Sequence, residues 1–244
     1  MNFRKLRKAV LLLQNKVWAR ALFKGVGAAI EHQQLLRSLS LDVVVDVGAN
    51  KGQFSLLIRG VIPGAIIYAF EPLSNPAKIF SKIFDGDTNT HLYTCAVGEC
   101  NESIAMHVSK SDDSSSLLPI SEKQSNLFPG TEEDYIDNVT MSTLKSVIST
   151  DKLTGRSLLK IDVQGFELSV LKGSQPLLKE FGFIYIECSF VELYEGQALV
   201  SDIVDYLANE GFLLNGVYNM SYDKSGLAVQ GDFLFVNSGW DFKE

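Results

Sequence analysis

The sequence predicts an α/β domain built on a mostly parallel sheet with helices on both faces. Three observations predict it. Short apolar runs of strand length alternate with stretches of helical periodicity, a glycine-containing turn follows the first run, and two strand-like runs close the chain. With 244 residues, 46% of them hydrophobic, the chain is long enough for one sizeable core. The expected organisation is a helical extension over 1–40 followed by the main domain over 41–244.

In the extension, Leu6, Val10, Leu13 and Val17 recur at helical spacing. The apolar run Ala9–Leu13 ends at Gln14-Asn15-Lys16, too short for a signal core or a membrane span. Val43–Val47 then reads as a buried parallel strand, Gly48–Gly52 as a turn and 53–60 as a helix. Ala65–Phe70 is a second buried strand. Asn75 is expected to cap the next helix, with Pro76 at its first position, where a missing N–H costs nothing.

A third strand is expected near 91–95, followed by an alternating, antiparallel-like run at Ile104–Val108. Residues 109–135, rich in Ser, Asp, Glu, Gly and Pro, read as a long loop of the kind that covers binding sites. Strands at Ser157–Asp162 and Phe183–Glu187 flank a helix at 165–172. Val200, Ile203, Val204 and Leu207 mark a helix stopped by Gly211, and Phe212–Val217 and Asp232–Val236 close the sheet. His91 and His107 fall in the third-strand region and its extension and are read as structural.

Charge is unevenly distributed. The net charge is −7, yet residues 1–24 carry seven basic side chains and no acid, leaving −14 on the rest. An acidic body argues against nucleic acid as a partner. The basic amphipathic helix is expected to pack on the domain, with contact to a membrane surface or an anionic substrate left open. Cys95, Cys100 and Cys188 lack paired spacing, so neither a disulfide framework nor structural zinc is expected, and a reduced, cytoplasmic setting follows.

The chemistry concentrates at Asp46-Val-Gly-Ala-Asn-Lys-Gly52. Gly48 and Gly52 permit a sharp turn and close ligand approach at the carboxyl end of the first strand, the binding crevice of Rossmann-like sheets. Glu71 ends the second strand 23 residues after Gly48, positioned to accept ribose hydroxyls, with Pro72 fixing the chain beside it. The loop lacks the G-x-G-x-x-G that accommodates a pyrophosphate. Asp46 offers an anion for a ligand bearing a sulfonium and an amine, which favours S-adenosylmethionine over NAD.

These blocks, with Ala96-Val-Gly98, Leu159-Lys-Ile-Asp-Val-Gln-Gly-Phe-Glu167 and Glu187-Cys-Ser-Phe190, resemble the FkbM family of methyltransferases across roughly 43–236. The resemblance implies a class I methyltransferase fold with a seven-stranded sheet. It also implies S-adenosylmethionine as cofactor and a hydroxyl as acceptor, often on a glycan or a glycosylated natural product. By the same resemblance Asp46, Gly48, Ala49, Asn50 and Gly52 would line the methionine part, Glu71 the ribose, and Ala96 and Val97 the adenine. Gln164 departs from the family, where Glu is frequent.

Asp113 and Ser114, in the expected covering loop, are candidates to reach the cofactor or acceptor. Methyl transfer to a weakly acidic hydroxyl calls for near-attack alignment and a base. Three residues are candidates: Asp162 and Glu187 on the carboxyl rim of the sheet, and His32 in the helical segment before it. Tyr194 is a candidate to stack on a sugar face, and Asn219, Tyr222, Gln230 and Asp232 to add acceptor contacts. Asp162 and Glu187 lack an obvious third ligand, so no metal is expected. Two alternatives stay open: an NAD-dependent oxidoreductase, and a non-catalytic cofactor-binding scaffold.

Overall fold

The computed structural model describes residues 10–153 and 156–240. Leu6, four of the seven N-terminal basic residues (Arg4, Lys5, Arg7 and Lys8) and Ala9 lie outside them.

The main sheet comprises β1 (Val43–Val47), β2 (Ile66–Phe70), β3 (Thr90–Tyr93), β7 (Ser157–Ile161), β8 (Phe183–Ser189), β9 (Phe212–Tyr222) and β10 (Ala228–Asn237), in the order β3-β2-β1-β7-β8-β10-β9. β10 runs opposite to the other six strands, antiparallel to both β8 and β9. The order reverses between β1 and β7, and at this switch point open α/β sheets bind ligands beyond their strand ends. β4 (Ala96–Val97), β5 (Glu102–Ser109) and β6 (Glu133–Ser142) form a second, three-stranded sheet.

Both faces of the main sheet are covered, as its apolar strands require. Alternate residues of one strand go to opposite sides. Val43, Val45 and Val47 pack under α6 (Leu144–Val147), α7 (Glu167–Ser174) and α8 (Val200–Asn209). Val44 faces α1 (Lys16–Phe23), α2 (Gln33–Ser38), α3 (Gln53–Val61) and α4 (Ser74–Ile83). Trp18 fixes α1 on this side: buried, it donates its indole N–H to the Leu56 carbonyl at 2.8 Å. α8 stops as expected, with Gly211 at φ 88°.

Three expectations change. α4 begins at Ser74 behind Leu73, so Asn75 is inside the first turn rather than at its cap, and Pro76 is third in the helix. Pro76 still costs no intrahelical bond there, because the first-turn N–H groups have no helical partner. The 109–135 segment is not all loop: it holds a 3₁₀ turn at Asp112–Ser114, α5 (Glu122–Leu127) and the start of β6. β6 escapes notice because one face is largely exposed and only Val139 and Met141 are buried. The closing strands run longer than expected, and β9 is an edge with irregular register against β10.

Candidate active site

A cavity of about 400 Å³ opens at the carboxyl ends of β1, β2, β7 and β8. One part is apolar, with Leu73, Ala96, Val97, Met106, Leu117 and Phe166 on its wall. The other is polar, with His32, Lys160, Asp162, Gln164, Tyr185, Glu187 and Asp232. Gly48, Ala49, Asn50, Glu71, Pro72 and Asp113 also line it.

The turn after β1 is held to the neighbouring strand end without side-chain bulk. Gly48 has φ 81°, and a Cβ there would lie 1.8 Å from the Asp162 carbonyl oxygen. Only glycine fits both the backbone and the space. Glu71 completes this part: Oε2 accepts from the Asn50 N–H at 2.9 Å and Oε1 from the Leu73 N–H at 2.7 Å. Burial raises its pKa to about 7 despite those two donors.

Three expected cofactor contacts are not on the wall: Asp46, Gly52 and Ser114. Asp46 is fully buried beneath the turn, where Oδ2 accepts from the Ser55 hydroxyl at 2.7 Å and Oδ1 lies 3.3 Å from the Lys160 ammonium. Its carboxylate therefore faces an internal cation rather than a ligand's amine. Gly52 is turned toward α4, and a Cβ there would press on Phe84 and Phe80 at 2.7 and 2.9 Å. It serves packing of the loop.

Lys160 is the residue that sequence reasoning passed over. It sits in β7, buried between Asp46 and Asp162, with Oδ2 of Asp162 at 3.5 Å and the Gly48 carbonyl at 3.3 Å. Burial opposes its charge, but the two carboxylates more than offset that and raise its pKa. A lysine in the apolar run Ser157–Ile161 was the available signal, because an isolated cation in a buried strand needs a partner.

Gln164 is a hub. Its backbone holds φ 56°, and its carbonyl accepts from the Ser116 hydroxyl at 2.6 Å. Its Nε2 donates to Asp162 Oδ1 at 2.8 Å and Glu187 Oε2 at 3.1 Å, while Oε1 accepts from the Tyr194 hydroxyl at 2.8 Å. A glutamate here has no N–H with which to bridge two carboxyl groups.

Tyr194 is thus not a platform for a sugar. Its ring is buried against Leu193 and Val229, and its hydroxyl, donating to Gln164, also lies 3.1 Å from the Ser114 carbonyl. Ser114 accordingly faces Tyr194 and is off the cavity wall, where Ser115 stands instead. The 3₁₀ turn beside it is tied to the cofactor loop by Lys51 and Asp112, 2.8 Å apart.

All three base candidates reach the cavity. Asp162 is the most open, with 38% of its side chain accessible. Burial, joined by the charges of Asp162 and Asp232, pushes Glu187 well above the ordinary carboxylate range. Glu187 also accepts from Gln230 Nε2 at 2.9 Å. Burial lowers His32, so its imidazole is neutral at pH 7. Its Nδ1 lies 2.9 Å from the Tyr185 hydroxyl and 3.0 Å from Asn219 Nδ2. Asn219 also donates to Asp232 Oδ2 at 2.8 Å. Tyr222, exposed at the end of β9, is off the cavity wall.

The Methyltransferase FkbM domain family matches residues 46–214. The chain belongs to this family. The 2-O-methyltransferase NoeI of Sinorhizobium fredii (strain NBRC 101917 / NGR234) is 27% identical over 215 residues, 84% of this chain and 88% of that protein. Methyltransferase 1 of Beauveria bassiana (strain ARSEF 2860) is 23% identical over 181 residues, 69% and 71% of the two chains. Among solved structures, magnesium protoporphyrin IX methyltransferase (ChlM) from Synechocystis PCC 6803, with bound SAM, aligns over 98% of this chain and 85% of its own. Its identity is 12% and its TM-score 0.46.

As an FkbM methyltransferase the protein uses S-adenosylmethionine, and its residues fit that ligand. The glycine turn leaves room for a backbone-hugging group, Glu71 supplies a carboxylate at the second strand end, and Ala96 and Val97 offer small apolar surfaces. The family sets aside both the oxidoreductase and the non-catalytic reading. Among the described residues, no helix is long and apolar enough to cross a membrane.

Proposed function

We propose that this FkbM methyltransferase places its methyl group on a hydroxyl oxygen, and that the acceptor is a saccharide or a glycosylated small molecule. The observation that carries this reading is the polar end of the cavity. His32, Asp162, Gln164, Glu187 and Asp232 converge there, a set of donors and acceptors matched to a ligand with several hydroxyl groups. The resemblance to a protein named as a 2-O-methyltransferase supports an oxygen acceptor.

S-adenosylmethionine supplies an electrophilic methyl group when bound. Glu71 would hold the ribose hydroxyls, and Gly48, Ala49 and Asn50 the amino-acid portion. Asp162, beside the glycine turn and open to the cavity, is the general base that takes the hydroxyl proton. Gln164 and Lys160 fix its two oxygens. Glu187, its carboxyl pushed up by burial, faces a neighbouring hydroxyl of the acceptor, and His32 positions the acceptor through Nε2. The free cysteines Cys95, Cys100 and Cys188 support a reducing, cytoplasmic setting.

The test is incubation with methyl-labelled S-adenosylmethionine and a panel of saccharides, with NMR of the product. A base-stable methyl ether on a sugar carbon is expected. Asp162→Asn should lower kcat by about 10²–10⁴-fold while leaving cofactor affinity nearly unchanged. A methyl ester or an N-methyl product would overturn the reading.

A further inference from the structure

The outer face of α1 is a surface that catalysis does not use. Its inner face is committed to the core through Trp18 and Ala21. A Cβ at Gly60 would fall 2.1 Å from the Trp18 indole nitrogen, so the helix is seated as closely as the chain allows. The residues pointing away are therefore fixed outward rather than left over from packing.

Those residues combine grease with charge. Phe23 is 85% exposed, and Lys16 and Arg20, one turn apart, flank it on the same side of the helix. Val17 and Lys24 are exposed beside them, and Leu13 and Val10 continue the exposed apolar residues in the preceding helical turn. Phe23 together with exposed Val17, Leu13 and Val10, rimmed by cations, is the kind of apolar patch that marks an interaction surface. Lys16, Arg20 and Lys24 also line a groove with Arg59, whose own partner is Asp87 at 2.7 Å; Asp85 is the other acid there.

We infer that this face docks on an anionic lipid surface. Apolar side chains projecting from a helix with Lys and Arg around them suit the headgroup boundary, where rings enter the acyl edge and cations meet phosphates. Charge selects this occupant over the same face of a second copy, which would set cations against cations. The first 24 residues carry seven basic groups and no acid, against −14 on the remainder. The chain runs directly from Lys24 into the cavity wall at Gly27, Ala29, Glu31 and His32, so docking holds the active site close to the bilayer.

The test is co-sedimentation of the full chain with vesicles of phosphatidylcholine alone and of phosphatidylcholine with phosphatidylglycerol. Binding to the anionic vesicles only, weakened by added salt, is expected. Substituting Lys16, Arg20 and Lys24 together with Gln should reduce partitioning on the order of a hundredfold, and Phe23→Ser about tenfold. All four side chains are exposed, and circular dichroism checks that each variant is folded. Absent binding, equal binding to both vesicles, or unchanged binding by the triple variant would overturn the inference. So would concentration-dependent dimerisation that Phe23→Ser abolishes, which would assign the face to a second copy.

Discussion

Lys160 and Asp46 are register partners on adjacent parallel strands, and their ammonium and carboxylate lie 3.3 Å apart in the core beneath the glycine turn. The pair is more than a strand contact. Through Nζ it reaches the Gly48 carbonyl on one side and Asp162 on the other, so one buried cation fixes both the cofactor turn and the base.

Lys160→Met should therefore destabilise the protein by about 3–5 kcal/mol, because Asp46 is left charged and buried. Combining it with Asp46→Asn should cost less than the sum of the single changes. Urea unfolding of the four-member cycle measures the coupling. Additive costs would mean that the pair does not interact.

Glu71 sets a pH dependence for cofactor binding. Its carboxylate can accept two hydroxyl donors only when ionised, and burial raises its pKa to about 7. Affinity for S-adenosylhomocysteine should rise as pH increases through 7, and Glu71→Gln should be weaker, by roughly tenfold or more, and flat with pH. Stability moves the other way. With a folded pKa above the ordinary glutamate value of 4.5, the folded state binds more protons, so this contribution is complete below pH 4.5 and is lost as pH rises through about 7.

Tyr194→Phe removes the O–H that orients Gln164 but keeps the buried ring. Folding stability should fall by about 1–3 kcal/mol, and kcat should fall more than acceptor KM rises. Steady-state kinetics beside thermal unfolding separate this from direct sugar stacking, which would move KM first.

What the sequence made legible follows from the size of each signal. The strands around the switch point read clearly because both sheet faces are buried, which forces continuous apolar runs such as Val43–Val47 and Ile66–Phe70. The glycine turn and Glu71 were legible because chemistry and backbone both restrict those positions. Asp46 was legible as important but not in its role, since its partner Lys160 is 114 residues away and only strand register joins them. Tyr194 looked like a surface aromatic because its loop is polar, yet tertiary contacts from 114–120 bury it.

Asn219 extends the same lesson. Among the described residues, the non-glycine residues with positive φ are Asn50, Gln164 and Asn219, and each bonds to a cavity group. Such strain gathers at working sites. Asn219→Gly relieves the φ of 47° but removes the donor to Asp232 and His32. Stability should hold or rise by up to about 1 kcal/mol while turnover drops, a split readable from Tm and kcat together.

Calorimetric titration of the purified protein with S-adenosylmethionine, run beside NADH, tests the central claim most directly. The account predicts saturable one-to-one binding of the methyl donor and no heat from NADH. Absence of S-adenosylmethionine binding to the folded wild type would contradict it.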